Sequence, residues 1–229
     1  MLNVDNLRSA YGESEVLHGL DFTISPGEIV AIMGRNGMGK TTLMKTLMGV
    51  VPTKSGHVSI DGKSIEGLKS YERVANGLAY VPQGRQIFST MTVEENVETG
   101  LIVTGDKKVS PDIYELFPVL VEMKSRRGGN LSGGQQQQLA IARALASKPK
   151  VLLLDEPTEG IQPSIIREMA RTLRRIRDER GLSIIVSEQV LSFALDVADR
   201  VLVLENGEFV HESPRTGIDE EKVSKFLSV

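Results

Sequence analysis

The sequence predicts an α/β fold built on a mainly parallel β-sheet, with a small antiparallel β subdomain at the N-terminus and a helical insertion. Short apolar runs rich in Val and Ile alternate with helix-length amphipathic stretches, the pattern of alternating strands and helices. A glycine-rich loop directly follows one of these runs. The segment 163–180 carries its apolar residues on one helical face, with Pro163 in the first turn and Gly181 just after the end.

Each predicted element follows from local patterning. Residues 2–4 and 20–24 predict short antiparallel strands, and Asn206-Gly207 between two apolar runs predicts a tight hairpin. A strand, the helix 163–180 and a second strand predict a right-handed crossover. The predicted strands of the parallel sheet are 28–33, 78–81, 151–154, 183–187 and 201–204.

The middle of the chain differs in character. Residues 85–130 mix helix-compatible stretches with breakers at Gly105 and Pro111, which favours a helical insertion over a free linker. We therefore expect a single domain over residues 1–229 that contains the helical subdomain 85–130.

Composition excludes several classes of function. The 229-residue chain has a formal net charge of −3, so it lacks the basic surplus of nucleic-acid-binding proteins and we expect no nucleic-acid partner. It has no cysteine, which excludes disulfides and thiolate chemistry. Its three histidines, His18, His57 and His211, lack metal-ligand spacing. The sequence has no signal-peptide pattern and no apolar run of about 18 residues, so we expect an intracellular chain without a membrane span.

The loop Gly34–Thr41 reads GRNGMGKT and matches the phosphate-binding pattern G-x-x-x-x-G-K-[ST]. It lies between a predicted strand and a predicted helix, where backbone N–H groups and the positive helix end would face an anion. Lys40 can reach the β- and γ-phosphates, and the Thr41 hydroxyl can ligate Mg²⁺. An ordinary glycine-rich turn is the alternative. We expect a RecA-like P-loop NTPase whose nucleotide contacts Gly34, Arg35, Asn36, Gly37, Met38, Gly39, Lys40, Thr41 and Thr42.

Two carboxylates follow the apolar run 151–154. Asp155 would end the buried strand at the sheet edge that carries the phosphate loop, where a Mg²⁺ ligand is needed. Glu156 would face the γ-phosphate and act as general base for the attacking water. Alone, the pair could cap the next helix. Together with the phosphate loop, it predicts nucleotide hydrolysis.

A second anion site is predicted at residues 131–135, which read LSGGQ before an amphipathic helical stretch. A serine and two glycines at a helix start leave open backbone donors. Because the chain already has a complete phosphate loop, this site is best explained as a contact to a nucleotide held by a partner chain. A serine-capped helix is the alternative. The contacting residues would be Ser132, Gly133, Gly134 and Gln135.

With these three motifs the sequence resembles the ATP-binding cassette (ABC) ATPases over essentially its whole length. The resemblance implies that ATP and Mg²⁺ bind, and that two domains sandwich two ATP molecules head to tail. Ser132 and Gly134 would touch the γ-phosphate bound by Lys40 of the other subunit. Tyr11 would stack on adenine, although a half-buried tyrosine at a strand end is the alternative. Gln83 would contact Mg²⁺ and water, or be a solvated turn residue.

Two positions depart from the pattern of these ATPases. Gln162 stands where the loop after Asp155-Glu156 usually has an aspartate, and Gln189 stands where a switch histidine is expected. Gln189 can donate a neutral hydrogen bond to the γ-phosphate but cannot become a cation. We therefore expect slow hydrolysis, or hydrolysis that depends on a partner subunit. The predicted catalytic set is Lys40, Gln83, Glu156 and Gln189.

Several stretches resemble one branch of the family, the importer ATPases for branched-chain amino acids and urea. Glu188-Gln189 and Glu159-Gly160 are similar to the amino-acid importers. The resemblance to urea importer ATPases is closer and rests on residues 80–85, 114–120, 126–129, 131–138 and 155–164. Urea is the cargo that this implies, with branched-chain amino acids, or a non-transport regulatory ABC ATPase, as alternatives.

The resemblance also implies partners and a location. We expect a second ABC ATPase subunit (a heterodimer in the transporter, with a homodimer open to the isolated chain), two membrane permeases and an external solute-binding protein. The chain would sit peripherally at the cytoplasmic face of the bacterial inner membrane. A permease helix would enter the groove between the insertion and Gln83, touching Ile87, Phe88 and Met91, unless these three residues only pack the core.

Overall fold

The computed structural model describes residues 1–218 and 220–227, and these residues form two β-sheets and nine α-helices. Within them, no helix is both long enough and apolar enough to cross a membrane. The strands are β1 (Leu2–Tyr11), β2 (Ser14–Ile24), β3 (Ile29–Met33), β4 (Thr53–Ile60), β5 (Lys63–Ser64), β6 (Leu78–Val81), β7 (Val151–Asp155), β8 (Ser183–Glu188), β9 (Arg200–Glu205) and β10 (Glu208–Pro214). The helices are α1 (Lys40–Leu47), α2 (Ser70–Ala75), α3 (Val93–Glu98), α4 (Pro111–Leu116), α5 (Pro118–Glu122), α6 (Gly133–Ala146), α7 (Pro163–Arg180), α8 (Leu191–Val197) and α9 (Glu220–Leu227).

The larger sheet has six strands in the order β10-β9-β3-β8-β7-β6. Neighbouring strands are parallel except β10, which pairs antiparallel with β9 after a left-handed turn at Asn206 (φ +47°) and Gly207 (φ +78°). β3 and β7 are buried along their whole length, as expected for strands covered on both faces. The predicted parallel sheet is confirmed, and each predicted strand end of this sheet lies within one residue of the observed end.

The smaller sheet is more extensive than the sequence predicted. It has four strands in the order β2-β1-β4-β5, all paired antiparallel. β1 and β2 are longer than the predicted strands 2–4 and 20–24, and β4 and β5 were not predicted at all. The predicted antiparallel subdomain is confirmed, and the sequence missed β4 because only its residues Val58 and Ile60 are buried. A strand that is open to solvent along most of its length carries little apolar pattern.

Helices α3, α4 and α5 lie between β6 and α6. The sequence on both sides of Pro118 is compatible with a helix. α4 nevertheless ends before Phe117, which has an extended φ of −132°. Proline disfavours helical backbone at the residue before it, so Pro118 breaks the stretch and starts α5. Pro111 similarly occupies the first turn of α4, where a missing N–H costs nothing.

The apolar core lies on both faces of the larger sheet. Ile29, Ala31 and Met33 of β3 pack in the cluster that includes α6, α7 and α8, whereas Val30 and Ile32 pack with α1 and the smaller sheet. β3 is therefore held between two packed layers, and so is the loop that follows its carboxyl end.

Candidate active site

The candidate active site lies at the edge where β3, β7 and β8 end. These strands are parallel neighbours, so their carboxyl ends meet at one edge of the sheet. The phosphate loop follows β3, Asp155 is the last residue of β7, and Gln189 follows β8. The order of strands thus brings together motifs that are far apart in the sequence.

The phosphate loop curls around the ammonium group of Lys40. Lys40 Nζ donates hydrogen bonds to the carbonyl oxygens of Gly34 (2.7 Å) and Arg35 (3.0 Å), and the residue is only 4% exposed. Gly39 has a φ of +107°, a conformation in which a side chain would be strained. At Gly34 a Cβ atom would lie 2.5 Å from the carbonyl oxygen of Leu204. The loop therefore requires glycine at both positions.

The four residues predicted to be catalytic meet at the carboxylate of Glu156. Its Oε1 lies 3.2 Å from Lys40 Nζ and accepts a hydrogen bond from Gln189 Nε2 (3.0 Å). Its Oε2 accepts a hydrogen bond from Gln83 Nε2 (3.3 Å). Gln189 Nε2 also donates to Asn36 Oδ1 in the phosphate loop (2.8 Å). The structure brings these side chains together, while their catalytic roles stay predictions.

Glu156 has a left-handed backbone, with φ of +47°. Its N–H lies 3.1 Å from the carbonyl oxygen of Ser187 and 3.2 Å from the Ser187 hydroxyl oxygen. Successive residues of a regular strand point to opposite faces. The left-handed backbone ends that alternation directly after Asp155, so that the Asp155 and Glu156 carboxylates both lie at the carboxyl edge of the sheet.

Asp155 is 1% exposed and accepts hydrogen bonds from three hydroxyl groups. Thr41 Oγ1 (3.1 Å) and Ser187 Oγ (2.6 Å) donate to Oδ1, and the Tyr80 hydroxyl (3.1 Å) donates to Oδ2. All three donors are neutral, and no ion pair between described residues involves Asp155. A buried carboxylate without a cation is costly, so this side chain fits a role as ligand of Mg²⁺, which prefers oxygen ligands.

A cavity of about 210 Å³ lies over the phosphate loop. Tyr11 is 51% exposed at the end of β1 and does not line it, so stacking on adenine stays a prediction. Gly34, Arg35 and Met38 do not line it either; the carbonyl oxygens of Gly34 and Arg35 accept from Lys40, and that of Met38 accepts from Gly207 of the β9–β10 hairpin. The lining residues are Val16, Asn36, Gly37, Gly39, Lys40, Thr41, Thr42, Gln83 and Glu156.

The LSGGQ segment begins α6 and does not line this cavity. Ser132 is the N-cap residue: its hydroxyl accepts from the Gln135 N–H (3.4 Å), and Gln135 Oε1 accepts from the Ser132 N–H (3.0 Å). A Cβ atom at Gly134 would lie 2.9 Å from Ile165, which favours glycine there. The serine-capped helix is thus present, and the contact of Gly133 and its neighbours to a partner's nucleotide stays a prediction.

Sequence reasoning missed Glu188, the last residue of β8. It is 2% exposed; its Oε1 accepts from Thr158 N (3.2 Å) and Oγ1 (2.6 Å), and its Oε2 from the N–H groups of Gln189 (3.0 Å) and Val190 (3.2 Å). Burial raises the pKa of the Glu188 carboxyl above its ordinary value, against the effect of these hydrogen bonds. Glu188 thus ties the loop after Glu156 to the loop that carries Gln189. The available signal was a charged residue at the end of the apolar run SIIVSE.

The loop after Glu156 is also held from the insertion side. Arg85 Nη2 donates to the carbonyl oxygen of Glu159 (2.7 Å), so the turn after Gln83 is linked to this loop. Gln162 occupies the position where ABC ATPases usually have an aspartate. It is the N-cap residue of α7, and its side chain forms no capping hydrogen bond.

A wider groove of about 710 Å³, here called the lateral groove, lies beside the site. Phe88 lines it, as the sequence predicted, and is 48% exposed. Ile87 packs against the core, which was the alternative, and Met91 is not among the described lining residues; contact of these three residues with a permease stays a prediction. Further lining comes from Lys45, Met48, Val50, Val74, Ala79, Tyr80, Pro82, Gln86, Thr99, Gly100, Ile102, Val103, Arg143, Ala144 and Ser147.

Comparison with known proteins settles the family. The ABC transporter family profile matches residues 17–159. The chain belongs to this family. The branched-chain amino acid transport ATP-binding protein BraG of Pseudomonas aeruginosa is 44% identical over 213 residues, 92% of this chain and 91% of BraG. A probable branched-chain amino acid transport ATP-binding protein, LivF of Archaeoglobus fulgidus, is 35% identical, covering 90% of this chain and 89% of LivF.

Solved structures of ABC cassettes confirm the fold. A nucleotide-free ATP-binding cassette superposes with a TM-score of 0.85 at 25% identity, covering all of this chain and 95% of that one. A dimeric cassette in a post-hydrolysis state, bound to ADP and Pi, gives 0.84 at 27% identity, over 95% of this chain and all of that one. The chain is therefore an ABC ATPase that binds and hydrolyses ATP. ATPases of this family dimerise and work with membrane permeases.

Proposed function

We propose that this chain is the ATP-hydrolysing component of an ABC importer, in which ATP closes a dimer of two cassettes and the closure drives two membrane permeases. The observation that carries this proposal is the convergence of Lys40, Gln83 and Gln189 on the Glu156 carboxylate at the carboxyl edge of the sheet. A base, a cation and two amide donors at one point are what hydrolysis of a phosphoanhydride requires.

Each side chain of this cluster has a role in the proposed reaction. The ammonium of Lys40 binds the β- and γ-phosphates, in exchange for the loop carbonyl groups that it contacts. Gln83 orients the attacking water, and the Glu156 carboxylate takes its proton as the water oxygen bonds to the γ-phosphorus. The bond to the β-γ bridging oxygen breaks, giving ADP and phosphate. Gln189 donates a hydrogen bond to the γ-phosphate.

Asp155 and the Thr41 hydroxyl would hold Mg²⁺, with Gln83 as the predicted third protein contact. When bound, the ion would neutralise phosphate charge and align the nucleotide. The hydroxyl donors on Asp155 support this role, because they fix the carboxylate without cancelling its charge.

The working unit that we propose is a head-to-tail dimer. Ser132, Gly133, Gly134 and Gln135 of each protomer contact the nucleotide bound by Lys40 of the other, which agrees with their position outside the chain's own cavity. A second, similar ATPase is the proposed partner in the transporter, and a homodimer is the proposed form of the isolated chain. An external solute-binding protein delivers cargo, and this chain works at the cytoplasmic face of the inner membrane.

The lateral groove is the proposed docking site for a helical segment of a permease. Phe88, Ile102 (83% exposed) and Val103 (41% exposed) form apolar surface beside the turn that follows Gln83. Exposed apolar groups of this kind favour a protein partner. Arg143 holds that turn from α6 by donating to the carbonyl oxygen of Gln86 (3.0 Å), so a segment in the groove lies against a backbone connected to the site.

We propose urea as the cargo, on the resemblance to the ATPases of urea importers in the glutamine run 135–138 and in the loop Gly160-Ile161-Gln162-Pro163. Branched-chain amino acids are the second candidate, favoured by the 44% identity to BraG. Uptake of labelled urea and labelled leucine, in cells with and without this chain, separates the two. Loss of urea uptake alone supports the proposal, and loss of leucine uptake alone moves the cargo to amino acids. If neither changes, both cargo assignments are contradicted, while the ATPase assignment stands.

A further inference from the structure

One side chain joins the lateral groove to the metal-binding edge of the active site. The half-buried ring of Tyr80, on β6, lines the groove and packs against the apolar layer that includes α1. Its hydroxyl donates a hydrogen bond to Asp155 Oδ2 (3.1 Å). The groove and the carboxylate are thus separated by the width of one tyrosine.

Of the described residues that line the lateral groove, Tyr80 is the one whose side chain hydrogen-bonds to an active-site residue. Lys45 of α1, which also lines the groove, forms no described hydrogen bond to Asp155 or Glu156. A displacement in the groove can therefore reach Asp155 through the Tyr80 ring, separately from the backbone turn after Gln83 that Arg143 holds.

In this link the Tyr80 hydroxyl is the donor and the Asp155 carboxylate is the acceptor. The bond occupies Oδ2 and leaves Oδ1 toward Thr41 Oγ1 (3.1 Å). A planar ring with its hydroxyl in line is rigid, so a shift of the ring carries the hydroxyl with it.

We propose that Tyr80 is a positioning residue that transmits the occupancy of the lateral groove to Asp155. The inference rests on the proposed function, because the occupant is the permease segment proposed above. A segment seated against the ring moves the hydroxyl and reorients the carboxylate that would hold the metal ion. Hydrogen-bond partners of metal ligands orient those ligands and tune their affinity.

The first test uses the isolated chain and Mn²⁺ as probe. Mn²⁺ binding with a non-hydrolysable ATP analogue is followed by electron paramagnetic resonance in wild type, Tyr80→Phe and Tyr71→Phe. Tyr71 is a 67% exposed tyrosine on α2 and serves as the matched control. Tyr80→Phe removes only the hydroxyl, and we expect about tenfold weaker Mn²⁺ binding with unchanged metal-free affinity for the analogue. Tyr71→Phe should match wild type.

The second test uses the transporter assembled with its permeases in proteoliposomes. The readout is the ratio of ATPase rates with and without permeases, at Mn²⁺ or Mg²⁺ saturating for each variant. We expect Tyr80→Phe to lose most of this stimulation and Tyr71→Phe to keep it. Unchanged Mn²⁺ affinity in the isolated Tyr80→Phe chain would overturn the positioning role, and full stimulation would overturn the link to the groove. Wild type without any stimulation would instead contradict the proposed function, whatever the Mn²⁺ result.

Discussion

The side-chain amide of Gln189 donates to Glu156 Oε1 at 3.0 Å, so the residue that replaces the expected histidine lies directly on the proposed base. The same nitrogen reaches Asn36 of the phosphate loop. Gln189 therefore connects the base to the nucleotide-binding loop through an uncharged amide donor. A histidine at this position would add the option of a positive charge.

Gln189→His should raise the rate of ATP hydrolysis. A protonated imidazole would stabilise the charge that develops on the γ-phosphate more strongly than an amide does. The variant should also acquire a new inflection in its pH-rate profile near pH ~6.5. Gln189→Ala, which removes the donor, should lower turnover by about 10²-fold. Phosphate release measured over pH, for the chain alone and in the assembled complex, checks both; an unchanged rate in Gln189→His would contradict the expectation.

Glu156→Gln should greatly slow hydrolysis while ATP still binds. The amide keeps the shape of the side chain but cannot take a proton from water, so turnover should fall by about 10²- to 10⁴-fold. ATP-bound dimers should then accumulate, which size-exclusion chromatography with light scattering would detect. Glu159→Gln, an exposed acid three residues along the same loop, is the control and should behave as wild type. Hydrolysis retained in Glu156→Gln would rule out the general-base role.

Glu188→Gln should remove a pH dependence of stability. Burial raises the pKa of this carboxyl above its ordinary value of 4.5 in the folded chain, so the folded state binds its proton more tightly than the unfolded state does. The Glu188 carboxyl should therefore increase the unfolding free energy of wild type at low pH. This contribution should be lost as pH rises above about 4.5.

The Glu188→Gln chain lacks that contribution, so its deficit relative to wild type should shrink as pH rises through the same window. Across the whole range it should be less stable by about 1–3 kcal/mol, because an amide nitrogen would face either Thr158 or two backbone N–H groups. Chemical denaturation from pH 4 to pH 8 is the measurement. Parallel stability curves for the two chains would show that the carboxyl does not titrate as described.

Arg73→Met should destabilise the fold without touching the active site. Arg73 is 2% exposed, and its guanidinium joins α2 to the end of α1. Methionine fills similar space but donates nothing, so buried carbonyl groups would lose their partners at a cost of about 3 kcal/mol. Arg171→Met, at an exposed position of α7, is the control, and equal stability of the two variants would contradict the account. The acceptors of Arg73 are the carbonyl oxygens of Thr46, Leu47, Glu66 and Leu68.

The parallel sheet and the position of the phosphate loop were predictable because buried strands have continuous apolar runs and the loop has a fixed glycine spacing. β4 was not predictable in this way, since its burial is confined to one end. Likewise, Asp155 and Glu156 could be assigned to one edge, but the left-handed backbone that places them there has no signature in a non-glycine residue. Sequence alone cannot supply contacts such as Tyr80 to Asp155, because they depend on the register of neighbouring strands.

The separation of the LSGGQ segment from the cavity over the phosphate loop has a kinetic consequence. If each site is completed by another molecule, the specific activity of the purified chain rises with its concentration and vanishes on dilution. Attachment of this chain and its partner ATPase to one pair of permeases replaces that bimolecular encounter by a high effective concentration. Held together at the membrane, each molecule would then hydrolyse ATP at a rate that is independent of the protein concentration. That rate would depend on nucleotide and cargo and no longer on how much of the chain the cell makes.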